Sequence, residues 1–360
     1  MLPKHLLYIL FVLCSYSNLF AQTNNTEGQL GGSTIYQFLT VPTGARTAAL
    51  SNTPVGGNPA DIEVGLEHAA LLNQSMHQSV LFKNNAYIGD VNFASFGSVW
   101  ALDSVHALSI GGTFANYGKF KRTDASGNEI GSFRVNDYFL QAGYGYQIDS
   151  AFSIGANVKF IQSVYDDFSS SGIAADLSVA YRLPKKDFYA LLALRNVGTQ
   201  FNTYAVGDTT GELPTNLSIS VYKRLGKSPV RISLTADHLQ QWDLTFEDPN
   251  RVVVVDPVTG EVVNESKSSF GDKLMRHIKV GGEVFISKSI VARLGYDYRR
   301  RQELKIDERT GGSGFSWGLA ISLSYFQMSY ARASYHLSAP SNLFSLQWYF
   351  GDFINKKRKS

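Results

Sequence analysis

The chain has 360 residues, among them 32 glycines and one cysteine; 13% are aromatic, 18% are charged, and the formal net charge is +3. So small and dispersed a charge excludes a nucleic-acid surface, and the charged fraction lies below the roughly 25% of soluble domains. No cysteine follows Cys14, which excludes disulfides and thiolate metal sites from the rest of the chain.

Lys4 and His5 precede an apolar run from Leu6 to Phe20 that ends at Ala21. This charge–apolar–small order predicts a secretory signal peptide over 1–21, because the run is too short to cross about 30 Å of hydrocarbon. Leu13 before Cys14 is too large for a lipoprotein site. Residues 22–76 carry Gly31-Gly32, Pro42, Gly44, Pro54, Gly56-Gly57 and Pro59, then a helix-like run from Ile62 to Leu72. They predict an irregular plug-like segment inside a barrel, or else a periplasmic extension.

From residue 79 to residue 350 apolar residues alternate with small or polar ones. Phe152, Ile154, Ala156, Val158 and Phe160 oppose Ser153, Gly155, Asn157 and Lys159. Phe315, Trp317, Leu319 and Ile321 oppose Ser316, Gly318, Ala320 and Ser322. Successive strand residues point to opposite sides, so each segment has one greasy and one polar face. Such segments run at 79–88, 91–102, 106–117, 135–147, 152–164, 172–182, 187–197, 214–225, 230–241, 276–286, 289–300, 314–324, 326–336 and 342–350. About 14 of them predict an all-β, transmembrane, antiparallel up-and-down β-barrel over 77–350.

Two further patterns agree. Every second joint is tight, as at Asp103–Val105, Ile148–Ala151 and Ser287–Lys288, whereas Gly118–Arg134, Gly198–Leu213, Trp242–Met275 and Arg301–Ser313 are long. Bacterial outer-membrane barrels have short periplasmic turns and long external loops, and a soluble sandwich has no reason to sort its loops by parity. Lys159, Asp176, Arg195, Asp237, Glu283, Arg293 and Asp297 all fall on polar faces, predicting a wet or salt-bridged interior. The expected location is the bacterial outer membrane, multi-pass, with both termini periplasmic and a basic tail at 351–360.

No Ser/His/Asp set, metal-ligand spacing or cofactor motif stands out, so a non-enzyme without metal or cofactor is expected. Candidate contacts are of two kinds. Arg299, Arg300 and Arg301, with Lys119 and Arg122, are placed at the outer rim, where guanidinium groups suit lipopolysaccharide phosphates. The longest external loop carries Trp242, Phe246, Val253 and Phe270, predicted to meet a partner, with 252–260 forming a projecting hairpin. Asp166-Asp167 is weighed as a calcium site against a plain solvated loop.

GGSTIYQFLTVPTGARTAAL (31–50), ANYGKF (115–120), LALRNVGTQFNTY (192–204), LTADHLQQWDL (234–244), RHIKVGGEVF (276–285) and RLGYDYRRRQEL (293–304) resemble, in order, the PorV/PorQ group of type IX secretion proteins of Bacteroidota. His68-Ala69-Ala70-Leu71-Leu72 departs from that group, which tends to carry Asn-Pro before the Ala-Leu-Leu run. The resemblance is to the PorQ branch in particular. It implies a 14-stranded, FadL-like barrel that anchors the attachment complex, holding a PorZ-like surface protein beside PorU and PorV and attaching cargo to anionic lipopolysaccharide. The alternative is a FadL-like channel for small hydrophobic molecules. A channel requires a continuous apolar pocket, and the inward face reads as mostly Ser, Gly, Asn and paired charges.

Overall fold

The computed structural model describes residues 34–54, 59–205, 207–245, 269–304, 312–336 and 339–350. The predicted signal peptide, the basic tail and the hairpin at 252–260 lie outside these residues.

Fourteen strands follow in chain order: β1 Ser79–Ala86, β2 Asn92–Ala101, β3 His106–Thr123, β4 Glu129–Gln147, β5 Phe152–Tyr165, β6 Phe168–Leu183, β7 Phe188–Asn202, β8 Asn216–Arg224, β9 Val230–Ala236, β10 Ile278–Phe285, β11 Ile290–Asp297, β12 Phe315–Ser322, β13 Phe326–Ala333 and β14 Ser341–Tyr349. Each pairs antiparallel with its sequence neighbours, and β1 closes on β14 from Ser79↔Tyr349 to Ala86↔Asn342. Closure leaves no unpaired edge, the condition for a sheet in hydrocarbon. No helix among the described residues is long and apolar enough to cross a membrane.

Alternation sorts the side chains as expected. Phe82, Leu140, Leu177 and Leu294 point outward and stay 55–64% exposed, while Lys159, Asp176, Glu283 and Arg293 point inward and are buried. A belt of aliphatic and aromatic side chains around a closed cylinder is solvated by acyl chains, not by water. The barrel therefore spans a bilayer.

The joints differ in one respect from their prediction. Short turns at 102–105, 148–151, 184–187, 225–229, 286–289 and 323–325 gather at one end, as expected. At the other end, Gly118–Arg134 is mostly paired strand, with a register shift between Asn116 and Lys119 and a tip at 124–128. This stretch rises past the greasy belt. With water on both sides it needs no apolar alternation, so the period-two signal stops before the strand does.

The described N-terminal residues sit inside. Helix α1 (Ala45–Ala49) and helix α2 (Ile62–Glu67) are joined to β1 through 3-10 turns at Ala69–Leu71 and Gln74–Met76. Near the long-loop end Phe38 and Leu39 pack on Phe93 and Ile161. Toward the short-turn end Ile62, Leu66 and Met76 pack on Leu81, Val99 and Ala107. The segment thus runs the length of the lumen. The wall's small polar residues receive its backbone: Ser178 Oγ accepts from Ala70 N–H at 3.0 Å, Ser153 Oγ–H donates to the Ala70 carbonyl at 2.6 Å, and Ser316 Oγ–H donates to the Ala49 carbonyl at 3.0 Å. Short, irregular chain carries unpaired backbone groups, and a wall of Ser, Asn and Gln pairs with them. Of the two expected interiors, wet or salt-bridged, the structure shows the salt-bridged one, as in Lys159–Asp176 and Arg293–Glu283, and its small polar residues also bind peptide.

Candidate functional site

Two features of the lumen bear on function: an ionic joint that fixes the plug, and a packed apolar cluster above it.

The joint centres on Arg46 of α1, which is 2% exposed. Its guanidinium donates to Asp61 at 2.7 Å and to Glu283 of β10 at 3.2 Å. Glu283 also faces Arg293 Nε at 3.0 Å and Arg231 Nη1 at 3.5 Å, so one wall carboxylate serves three guanidinium groups. Asp61 also accepts from Glu63 N–H and so caps α2. Glu63 accepts from Thr47 N–H at 2.9 Å and from Ser345 Oγ–H at 3.0 Å; burial raises its carboxyl group above the ordinary range. Charges this deep are tolerated only when paired and hydrogen-bonded, so each pair fixes the plug at one position.

His68, between α2 and the turn at Ala69–Leu71, is buried beside a second ionic group, Lys159 with Asp176 at 2.7 Å. Burial pushes its imidazole down to about 3, and the nearby Arg195 cation adds to the shift. The unfolded segment has an ordinary His and binds the extra proton first. Plug stability is therefore complete above about pH 6.5 and lost as pH falls toward 3. A dye on Ser75→Cys should report plug release in urea at a midpoint that drops between pH 7.5 and 4.5, by about 3 kcal/mol. His68→Gln should abolish this slope; an unchanged slope would remove His68 as its cause.

The cluster lies at the long-loop end. Phe93, Ala115, Phe139, Ile161 and Ala174 point inward from five successive strands, β2 to β6, and Leu213 joins them from the β7–β8 connection. Tyr36, Phe38 and Leu39 of the N-terminal segment fill it, with Phe38 and Phe139 ring centroids 6.1 Å apart. Tyr36 holds a left-handed backbone at φ 54, and its hydroxyl bonds Ser170 on β6. The inward face, read from the sequence as mostly Ser, Gly, Asn and paired charges, thus carries an apolar patch at this level. The signal was present: Ile161 is in step with Lys159 and Ser153, an apolar residue in a polar register. Lower down, a crevice beside Pro54, Leu71, Tyr189 and Tyr222 holds only about 10 Å³, the room of one water.

The predicted contact residues are scattered. Trp242 and Phe270 do meet, with ring centroids 5.3 Å apart and 50% and 71% exposure; Phe246 and Val253 lie outside the described residues. Arg299, Arg300 and Arg301 come directly after β11, which ends at Asp297, and so stay at its long-loop end, but not as strand. They sit on a short helix, α3 (Tyr298–Glu303), capped by the Asp297 side chain. Arg300 faces Asp297 at 3.8 Å and lies over the Tyr335 ring at 4.2 Å, and Arg299 pairs with Glu303 at 3.4 Å. Arg122 pairs with Asp166 and Asp167, which gives those carboxylates a basic partner within the chain. Lys119 is exposed on β3. Among the described residues no group of His, Cys, Asp or Glu is placed to hold a metal ion.

No protein-family model matches the chain, and no curated protein does. Solved structures are similar in fold. The toluene transporter TbuX of Ralstonia pickettii aligns over 85% of this chain and 98% of its own, at 9% identity and a TM-score of 0.49. A FadL homologue of Pseudomonas aeruginosa aligns over 85% and 98%, at 10% identity and a TM-score of 0.47. The toluene transporter TodX of Pseudomonas putida aligns over 84% and 96%, at 12% identity and 0.47. By its own strand order the chain is a closed, 14-stranded antiparallel barrel with its described N-terminal residues packed in the lumen.

Proposed function

We propose that this chain is a non-enzymatic outer-membrane barrel that admits a small hydrophobic molecule through the apolar cluster at its long-loop mouth. The single observation behind this reading is the patch of inward apolar residues at the long-loop mouth, Phe93, Ala115, Phe139, Ile161 and Ala174, on five neighbouring strands. Phe38 and Leu39 occupy the space an apolar guest would take, so displacing them opens the route.

The test uses Phe38→Ala in the purified full-length barrel. Removing a buried Phe leaves a cavity and costs about 3–5 kcal/mol, and an apolar guest that fills the cavity restores part of it. Toluene should raise the variant's thermal unfolding temperature more than the wild type's. Outer membranes containing the wild-type barrel should take up labelled toluene faster than membranes lacking it. Equal uptake by both membranes rejects the conduit.

A second reading is supported by the run of resemblance to the PorQ branch and by the exposed Trp242–Phe270 pair. In it the barrel anchors a PorZ-like surface protein beside PorU and PorV in the type IX secretion attachment complex, near lipopolysaccharide phosphates within reach of Lys119 and Arg299. Recovery of a soluble surface protein with the barrel, together with equal toluene uptake, would favour this reading over the conduit.

A further inference from the structure

The short-turn rim of the barrel is electrically divided. Three of its turns, at 184–187, 225–229 and 286–289, carry Lys185, Lys186, Lys227 and Lys288, and Lys223 at the end of β8 joins them. These turns are neighbours on the rim. Arg224 N–H donates to the Asp187 carbonyl at 3.2 Å, and Phe285 N–H donates to the Pro229 carbonyl at 2.8 Å. All five lysines are exposed, and none makes a hydrogen bond or ion pair among the described residues. The carboxylate of these turns, Asp187, faces Arg224 at 3.8 Å.

The other half of the rim is different. The turns at 102–105 and 148–151 hold no cation, and the turn at 323–325 holds no charge. Asp103 and Asp149 are engaged locally: each accepts from two backbone N–H groups within three residues, at 2.7–2.8 Å. Cations gathered on one sector repel one another, so their countercharge comes from outside the chain.

The surroundings of the lysines identify its source. Lys223 lies on the lipid-facing side of β8, where its register partners are Phe188 on β7 and Ile232 on β9. Leu225 and Ile286, in the same turns as Lys227 and Lys288, are 46% and 62% exposed. Apolar side chains and lysines alternate here as they do where acyl chains give way to headgroups. A lysine stem lies on the apolar surface and its ammonium reaches the phosphates. A soluble acidic protein would meet the turn lysines, but not one directed at acyl chains. Short turns of bacterial outer-membrane barrels are periplasmic, so the facing leaflet is glycerophospholipid.

We propose that Lys185, Lys186, Lys223, Lys227 and Lys288 form a docking site for an anionic glycerophospholipid of the periplasmic leaflet. Ammonium groups on flexible stems act as point charges, which suits a mobile phosphodiester better than a fixed guanidinium fork would. A lipid with two phosphates can reach two of the turns at once, so cardiolipin binds more tightly than phosphatidylglycerol. The site lies outside the lumen and does not depend on what the barrel admits or anchors.

Native mass spectrometry of the full-length barrel in detergent tests this, with cardiolipin, phosphatidylglycerol and phosphatidylethanolamine offered at equal concentration. Cardiolipin should be retained about fivefold more than phosphatidylethanolamine, and added salt should reduce the difference. The combination Lys185→Gln, Lys186→Gln and Lys223→Gln should bring cardiolipin down to the phosphatidylethanolamine level, and Arg at the same three positions should restore it. Lys121→Gln, Arg134→Gln and Arg332→Gln remove as many exposed cations from the long-loop end and should change nothing. Equal retention of all three lipids by the wild type would overturn the site, as would equal losses from the two sets of Gln variants. Displacement of cardiolipin by equimolar inorganic phosphate would overturn the lipid as its ligand. So would recovery of a soluble acidic protein on this sector without any lipid preference.

Discussion

Arg46→Ala is expected to free the plug while leaving the barrel closed. The substitution removes a guanidinium that holds Asp61 at 2.7 Å and Glu283 at 3.2 Å. Glu283 keeps Arg293 and Arg231, whereas Asp61 is left buried with only the Glu63 amide for company. Breaking a buried pair by deleting one partner typically costs about 3–5 kcal/mol, because the remaining charge has lost its compensation. That cost falls on the plug, since the strands keep their ladder. In planar bilayers the variant should conduct where the wild type is closed, and urea should release a dye at Ser75→Cys at a much lower midpoint. The fold should survive, seen as an unchanged shift on heating in gel electrophoresis. Arg46→Met combined with Asp61→Asn should recover much of the loss, because it removes the stranded charge along with its partner. A variant as closed and as resistant to urea as the wild type would mean that the plug is held by backbone hydrogen bonds alone.

Gly155→Val should have a comparable effect by another route. A Cβ at Gly155 would lie 2.2 Å from the Ala69 carbonyl carbon and 2.2 Å from the Ala70 nitrogen. These are backbone atoms, so no rotamer change relieves the clash. Either β5 bends or the turn at Ala69–Leu71 leaves the wall, breaking the Ser178 and Ser153 bonds to Ala70. Overpacking of this kind costs about 1–3 kcal/mol, and here two lost hydrogen bonds of about 1 kcal/mol each add to it. Hydrogen exchange over 60–77 should rise sharply, with little change in strands far from β5. Gly282→Ala serves as the control, because its nearest neighbour would be 3.9 Å away. Equal exchange in both variants would show that the plug does not press on the wall at Gly155.

Both predictions concern contacts that no run of residues displays. The strand count, the closed barrel and the inward place of Lys159, Asp176, Glu283 and Arg293 follow from the sequence alone. A strand has period two, and the bilayer imposes one apolar face on every strand that crosses it, so the pattern is local and strong. It fades where a strand leaves the bilayer, which is why β3 and β4 extend through 117–134 unannounced, and why α3 replaces the expected end of β11.

Tertiary structure decided what the inward face meets. Ser153, Ser178, Ser316 and Gly155 read only as a small or polar inward face; that they face peptide follows from a segment more than 70 residues away in the chain, which returns to fill the lumen. The patch of Phe93, Ala115, Phe139, Ile161 and Ala174 is likewise assembled from five strands, one residue from each. Periodicity fixes the side of the sheet on which a residue lies, whereas only register and closure fix which residues share a level, and a site is a property of that level.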